Sequence, residues 1–533
     1  MDREINGKIQ LKVPEIKYTK LFINGRFLDS VSGKTFETND PRTGDVIAAV
    51  AEGDKEDVDN AVKAAREAFD HGKWPRTSGH ERGRILMKLA DLIEQHAEDL
   101  SMLDAINAGK LLHMTQAFDI PTAAFMLRYF AGWADKVHGQ TLKCSGEFQA
   151  YTLLEPVGVV GLIIPWNFPT VLFVAKIAPA LAAGCSVVVK PAEQTPLSAL
   201  YCAQLAKQAG VPDGVLNVVT GFGPTAGAAV ASHMDVDAVS FTGSTEIGKV
   251  VMAAAASSNL KQVSLELGGK SPLVIFADAD LDMAVQLAWQ AVFFNKAIIT
   301  HASVLLKAEV FSWRLESNGI DINGSLPSSQ GEICLAGSRV YVQEEIYEEF
   351  KKKTVEMVKN WVLGDPFDPQ VHQGPQVDKR QFEKVLRYIE AGKREGATLI
   401  NGGKPVGEKG YFIEPTIFAD VKEDMLIAKD EIFGPVMSIM KFKTIEEAIE
   451  KANNTRYGLA AGIVTKDLNI ANMVSRSIRA GTIWINCYMA TEADAPFGGY
   501  KMSGFGKDSG LQAIQKYLNV KSVITPLYGS PWL

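Results

Sequence analysis

Cysteine is scarce in this chain of 533 residues: Cys144, Cys185, Cys202, Cys334 and Cys487 are odd in number and widely spaced. No Cys-x-x-Cys pair occurs, which argues against a disulfide framework and a zinc ribbon and favours a reducing compartment. No metal site is expected. Positive charge is also short, with 55 basic against 62 acidic residues and a net charge of −7. That is a poor footprint for nucleic acid or an anionic membrane, so neither is expected as a partner. Pro and Gly interrupt the apolar stretches before they reach the roughly 20 residues of a membrane span. The opening MDREINGKIQ has neither an apolar leader nor an Arg/Ser-rich presequence, and the final Ser-Pro-Trp-Leu matches no targeting address. A cytoplasmic location is therefore expected. Internal repeats and low-complexity tracts are absent as well.

What is present fits a large globular protein. Hydrophobic residues make up 47% and charged residues 22%, near the globular average, and the length predicts about two to four domains. The first 50 residues read as strands and turns. Asp54 is placed to cap a helix whose apolar positions Val58, Ala61, Val62, Ala65 and Ala68 recur at helical spacing. Similar spacing predicts one helix over 80–104 and another over 116–137. From Pro156 the rhythm changes. VGVVGLII (157–164), SVVVK (186–190), VLNVV (215–219) and DAVSF (237–241) are short apolar runs suited to strands buried on both faces. Helical segments separate them, which predicts βαβ units and a doubly wound parallel sheet. A second αβ series begins at LVIF (273–276).

Five motifs are candidates for chemistry. Turns follow several strands, PAEQTP without glycine and TGFGPTAG and FTGSTEIG with it, and a helix N-terminus there suits a pyrophosphate. None is a strict G-x-G-x-x-G, and plain tight turns account for them equally well. Glu193 stands just past a strand end, where a carboxylate can bind ribose hydroxyls and repel a 2′-phosphate, favouring NAD; a solvated loop Glu is the alternative. In PWNFP (165–169) the Asn167 amide can donate to an oxyanion or cap its own turn. In LELGGKSP (265–272), Glu266 ends an apolar strand before two glycines that admit close approach by a backbone or ligand. Cys334 in GEICLAGSR (331–339) reads in isolation as an inert buried thiol unless an oxyanion donor and a thiolate-stabilising site lie nearby. In EIFGPV (431–436), Glu431 and Phe433 can orient a ribose and flank a nicotinamide ring.

In this order, and followed by PFGGYKMSG, these motifs resemble the NAD(P)-dependent aldehyde dehydrogenase superfamily, from about residue 18 to the C-terminus. The ending and the N-terminus look most like cytosolic plant members, some of which are associated with hydroxycinnamaldehydes. The resemblance implies an α/β protein with a Rossmann-like cofactor domain (1–137 and 157–268), an α/β catalytic domain (269–502) and a small β-rich oligomerisation element (138–156 and 503–533). It implies Cys334 as nucleophile, Glu266 as general base, Asn167 as oxyanion donor and Lys176 in a proton relay. It places NAD against Lys190, Glu193, Gly223, Gly243, Ser244, Gln381, Lys384, Glu431 and Phe433, and also against Ile163, Pro165, Trp166, Phe241 and Leu267. The implied partners are a small-molecule aldehyde and copies of the chain itself, as a homotetramer or homodimer. Substrate selection would involve loops near Met126, Phe168–Phe173 and Tyr488.

One stretch departs from the pattern. In the family an FFN-type segment joins directly to G-x-x-C, whereas here 34 residues, 297–330, intervene between FFNK and GEIC. Without them the chain has 499 residues, a normal family length. The segment is abrupt, in frame and without a domain-like core, which favours retained intron sequence over a true loop or a sequencing error. It enters just before the nucleophile, where a shift of about 1 Å costs on the order of 10²-fold in rate. A catalytically impaired homologue that binds NAD or only assembles therefore stands beside aldehyde oxidation; a CoA-acylating semialdehyde dehydrogenase is a second alternative, against which Glu266 in the general-base position argues.

Overall fold

The computed structural model describes residues 15–144, 148–293 and 331–529. The segment 297–330 lies outside the described residues.

Two large sheets organise the chain. The first has eight strands, and its parallel centre runs Leu216–Val218, Ser186–Lys190, Val159–Ile163, Ala238–Thr242 and Gln262–Glu266. The first strand in sequence, Val159–Ile163, lies between the second and the fourth, so the winding reverses beside it. Ligands of open α/β sheets bind outside the carboxyl ends of the strands at such a reversal. Every residue of Ser186–Lys190 is buried, as the unbroken apolar run requires. The short strand Gly504–Phe505, which the expected division put in the tail element, pairs with Leu265 and Glu266 at the edge of this sheet.

The second sheet has seven strands, with Pro272–Ile275, Arg339–Gln343 and Val436–Phe442 adjacent and parallel. A third sheet of three strands, Leu518–Pro526, Phe148–Pro156 and Thr141–Leu142, is antiparallel and mostly exposed. Among the described residues no helix is long and apolar enough to cross a membrane.

Local signals were obeyed with two exceptions. Asp54 caps the helix Lys55–Asp70 in a reciprocal capping box with Asp57. The helix expected over 80–104 is two helices, Gly79–Gln95 and Ala97–Ala108, broken at His96. The helix expected over 116–137 spans Ile120–Trp133 after a π-helical turn at Thr115–Asp119. No glycine or proline marks His96, so tertiary packing overrides a continuous pattern there, whereas Pro121, in the first turn after Thr115–Asp119, lacks an N–H and crowds the preceding carbonyls, which breaks the regular ladder.

Candidate active site

The carboxyl ends of the first sheet carry most of the expected cofactor residues. Ile163 and Phe241 are direct neighbours across the reversal. Lys190 ends its strand buried, and its ammonium meets the Glu193 carboxylate at 2.9 Å. Ser244 caps the 13-residue helix Thr245–Ser257, accepting from the Ile247 N–H. This is the clean α-helical N-terminus among the Gly turns. The turn at Gly223 instead enters a π-helical segment, Gly223–Gly227, followed by the short helix Ala228–Ser232.

The glycines here make room. A Cβ on Gly223 would meet nothing within 4 Å, leaving its backbone open to a ligand. A Cβ on Gly248 would lie 2.6 Å from the Leu267 side chain, so its absence lets the helix settle on the sheet. The open Gly223 backbone, the Ser244 helix N-terminus and the Lys190–Glu193 pair fit a dinucleotide.

Glu266 is the last residue of its strand and is 2% exposed. Among the described residues neither of its carboxyl oxygens has a hydrogen-bond partner. Burial, then Asp508, holds its carboxyl well above the usual range, and Lys176, Lys516 and Lys507 oppose this. Lys176 is fully buried on the helix Pro169–Ala183; its ammonium lies 2.6 Å from Asp508 and donates to the Ser240 hydroxyl at 2.9 Å. Asp508 also pairs with Lys516 at 2.5 Å.

Two glycines after Glu266 bring the second half of the site close. A Cβ on Gly268 would lie 2.0 Å from the Glu431 carboxylate, and one on Gly269 would lie 2.5 Å from the Cys334 carbonyl. The Gly269 N–H donates to Glu431 at 3.0 Å. Cys334 itself is half-buried in a turn. Burial raises its thiol pKa, and the carboxylates of Glu431 and Glu266 raise it further. Burial also pushes the Glu431 carboxyl up to about 7.

Around Glu431, Gln381 donates to the carbonyls of Ile432 and Phe433 at 3.2 and 2.5 Å. This clamps Phe433, which holds the left-handed φ of 60°, a conformation that costs a non-glycine residue about 1 kcal/mol or more. The Phe433 and Trp166 rings meet edge to face at 5.3 Å. Lys384 lies in the field of Glu431, its pKa lowered by burial. Pro165 and Trp166 lie between the strand ending at Ile163 and Asn167.

Asn167 donates from its side-chain amide to the Glu332 carbonyl at 3.1 Å, two residues before Cys334. Beneath it lies a buried group of charges absent from the sequence reading: Asp104, Lys110, Asp119 and Glu332, none more than 3% exposed. Such residue types read as solvated surface, and no spacing signal marks them. Asp508 and Lys516 were missed for the same reason. Of the residues expected near the substrate, Phe173 is fully buried, and Tyr488 donates its hydroxyl to the Leu335 carbonyl at 2.8 Å.

The aldehyde dehydrogenase family matches residues 27–303 and 320–523. Its match leaves 304–319 uncovered, a narrower interruption than 297–330. The chain is 60% identical over 529 residues to aldehyde dehydrogenase family 2 member C4 of Arabidopsis thaliana, covering 99% of each. It is 57% identical to aldehyde dehydrogenase 1 of Tanacetum cinerariifolium, covering 100% of each. The NAD+ complex of an aldehyde dehydrogenase from Bacillus cereus superposes with a TM-score of 0.88 at 46% identity, covering 98% of this chain and all of that one.

Proposed function

This chain belongs to the aldehyde dehydrogenase family and is an oxidoreductase that uses NAD on an aldehyde; from that premise we propose that the chemistry runs through Cys334, Asn167 and Glu266. The observation that carries this reading is the Glu266 carboxyl, buried with neither oxygen hydrogen-bonded among the described residues. Leaving a buried polar group unpaired costs about 1–3 kcal/mol, a cost that makes sense where water must be bound and activated.

In this reading the Cys334 thiol first gives its proton to solvent, and the thiolate sulfur bonds to the aldehyde carbon as the carbonyl electrons shift to oxygen, making an oxyanion. The Asn167 amide and the Cys334 backbone N–H stabilise that charge. An amide nitrogen carries two hydrogens, so donation to Glu332 is compatible with donation to the oxyanion. As the carbonyl re-forms, the C–H bond breaks and its electron pair leaves with the hydride, giving a thioester on Cys334. NAD, when bound, supplies the hydride acceptor. Glu266 then takes a proton from water, the water oxygen bonds to the acyl carbon, and the S–C bond breaks to release the acid. Lys176 is assigned to the proton relay behind Glu266, where it and Asp508 act on the carboxyl through their charges.

Lys190 and Glu193 are assigned to the adenosine ribose, Ser244 and Gly223 to the pyrophosphate, and Glu431, Phe433 and Lys384 to the nicotinamide side. Gln381 serves by clamping Phe433. The division into cofactor domain, catalytic domain and oligomerisation element belongs to the same proposal, as do a cytoplasmic location and a homotetramer or homodimer. Exposed Phe148, Leu153, Val520 and Ile524 on the three-stranded sheet support assembly.

The test measures NADH formation from acetaldehyde and coniferaldehyde. It compares the 533-residue chain with one lacking 297–330, each with and without Cys334→Ser. Turnover in the shortened chain that Cys334→Ser abolishes is the expected result. NAD binding without turnover in the longer chain would mark the segment as inactivating. Turnover that depends on CoA would replace hydrolysis with acyl transfer.

A further inference from the structure

The helix Ala97–Ala108 ends at Gly109, whose left-handed φ of 70° turns the chain inward. The next residue, Lys110, is therefore buried, 2% exposed. Its ammonium lies 2.5 Å from the Asp119 carboxylate, 3.2 Å from the Asn167 carbonyl and 3.6 Å from the centre of the Phe168 ring. Asp104, from the same helix, accepts from the Thr170 N–H at 3.3 Å, at the first turn of the helix that follows Asn167. Both ends of the Asn167 loop are thus held from below by buried charges.

Resting on the assignment of Asn167 to the oxyanion, the geometry points to Lys110 as the positioning residue that sets where the Asn167 amide stands. Contacts run without a break from Lys110 to the Asn167 carbonyl, and from the Asn167 amide to the Glu332 carbonyl, two residues before Cys334. Lysine suits this position. A compact ammonium can donate to a carboxylate and a carbonyl while its charge sits over an aromatic face. A neutral donor lacks the attraction to the ring, and a guanidinium presents its donors in a rigid planar fork rather than from one point. Asp119 supplies the counter-charge that a buried ammonium requires.

The test uses the 533-residue chain. Lys110→Met/Asp119→Asn removes the pair together, so Asp119 is not left buried without its cation, while Asp104 and Glu332 stay in place. Single-turnover NADH formation is expected to fall on the order of 10²-fold, the cost of losing or misplacing an oxyanion donor. NADH affinity, followed by fluorescence, is expected to stay within about two-fold because the cofactor turns are untouched. In an Asn167→Ala background the same substitutions are expected to change the rate by less than about two-fold, since the group they position is gone. An equal loss in both backgrounds, or no loss in the parent, overturns the proposal. Asn167→Ala at the parent's rate overturns the assignment of Asn167 itself, and with it the role of Lys110. If the double variant does not fold, Asp119→Asn alone, which loosens the ammonium without removing it, carries the same comparison. Iodoacetamide labelling of Cys334 adds a readout independent of turnover. A displaced Asn167 releases the Glu332 carbonyl and alters the labelling rate, and an unchanged rate counts against the proposal.

Discussion

Lys176 and Asp508 meet at 2.6 Å in the interior, one from the helix after the Asn167 loop and the other from the GKDSG segment near the C-terminus. Both lie within the electrostatic reach of Glu266 and act on it with opposite signs. Burial and Asp508 favour its neutral form, while Lys176 favours the carboxylate. The proposed base is therefore tuned by a pair that makes no hydrogen bond to it.

The first consequence is a pH profile. Glu266 acts as a base only when ionised, and burial holds its carboxyl well above the ordinary carboxylate range. The rate of thioester hydrolysis should therefore rise with pH through that elevated value rather than level off near pH 5. Lys176→Met removes a neighbour that favours the carboxylate, so the rising limb should move to higher pH. Glu266→Gln should slow hydrolysis by roughly 10²- to 10⁴-fold while leaving the first burst of NADH. Steady-state and rapid-quench rates between pH 5 and 9 check this, and a limb that stays near pH 4.5 in the parent would sink it.

A second consequence concerns stability. Burial alone would raise Asp508, but Lys176 and Lys516 win and hold it down to about 2, from 3.8. A depressed carboxylate stabilises the fold above its unfolded pKa and loses that contribution as pH falls toward the folded one. Asp508→Asn leaves the buried Lys176 ammonium and the partly buried Lys516 ammonium without their anion and should cost about 3 kcal/mol at neutral pH. The gap in stability between parent and variant should narrow as pH falls from about 4 toward 2. Denaturant melts across that range measure it. A gap independent of pH would mean the loss comes from packing.

Much of the fold was legible because buried parallel strands leave unbroken apolar runs. Ser186–Lys190 begins and ends where SVVVK does. The pair Gly268 and Gly269 was legible as a place of close approach, but not for what approaches. One glycine admits Glu431 and the other the carbonyl of Cys334, contacts set by tertiary folding over long separations. Lys110, Asp119 and Asp508 were invisible for a related reason. A charged residue in a single sequence looks solvated until its distant partner is known. His96 interrupts an otherwise continuous helical pattern, and no local residue preference announces it.

Cofactor choice gives a third prediction. Glu193 holds Lys190 at 2.9 Å beside the strand end. Its carboxylate would face a 2′-phosphate with like charge, and Glu193→Gln removes that repulsion while freeing Lys190 to meet the phosphate. The ratio of kcat/KM for NADP over NAD should rise by roughly ten-fold or more, since about 1.4 kcal/mol is tenfold. If the ratio does not move, Glu193 serves only as the counter-ion of Lys190.

The thiol supplies the last prediction. Burial, Glu431 and Glu266 all disfavour the Cys334 thiolate, so the chain alone should hold a thiol at neutral pH. Iodoacetamide should label it slowly at pH 7, with the rate still climbing above the ordinary thiol range near pH 8.5. Glu431→Gln removes one of the two negative neighbours and should speed labelling by roughly three-fold. The size of that gain should itself depend on pH. Glu431 titrates at about 7, so it carries little charge at pH 6 and nearly a full charge at pH 8. The substitution should therefore matter more at pH 8 than at pH 6. Labelling rates of both chains, read by mass spectrometry on the Cys334 peptide, decide it. A gain that is equal at both pH values would place the effect of Glu431 in shape rather than charge.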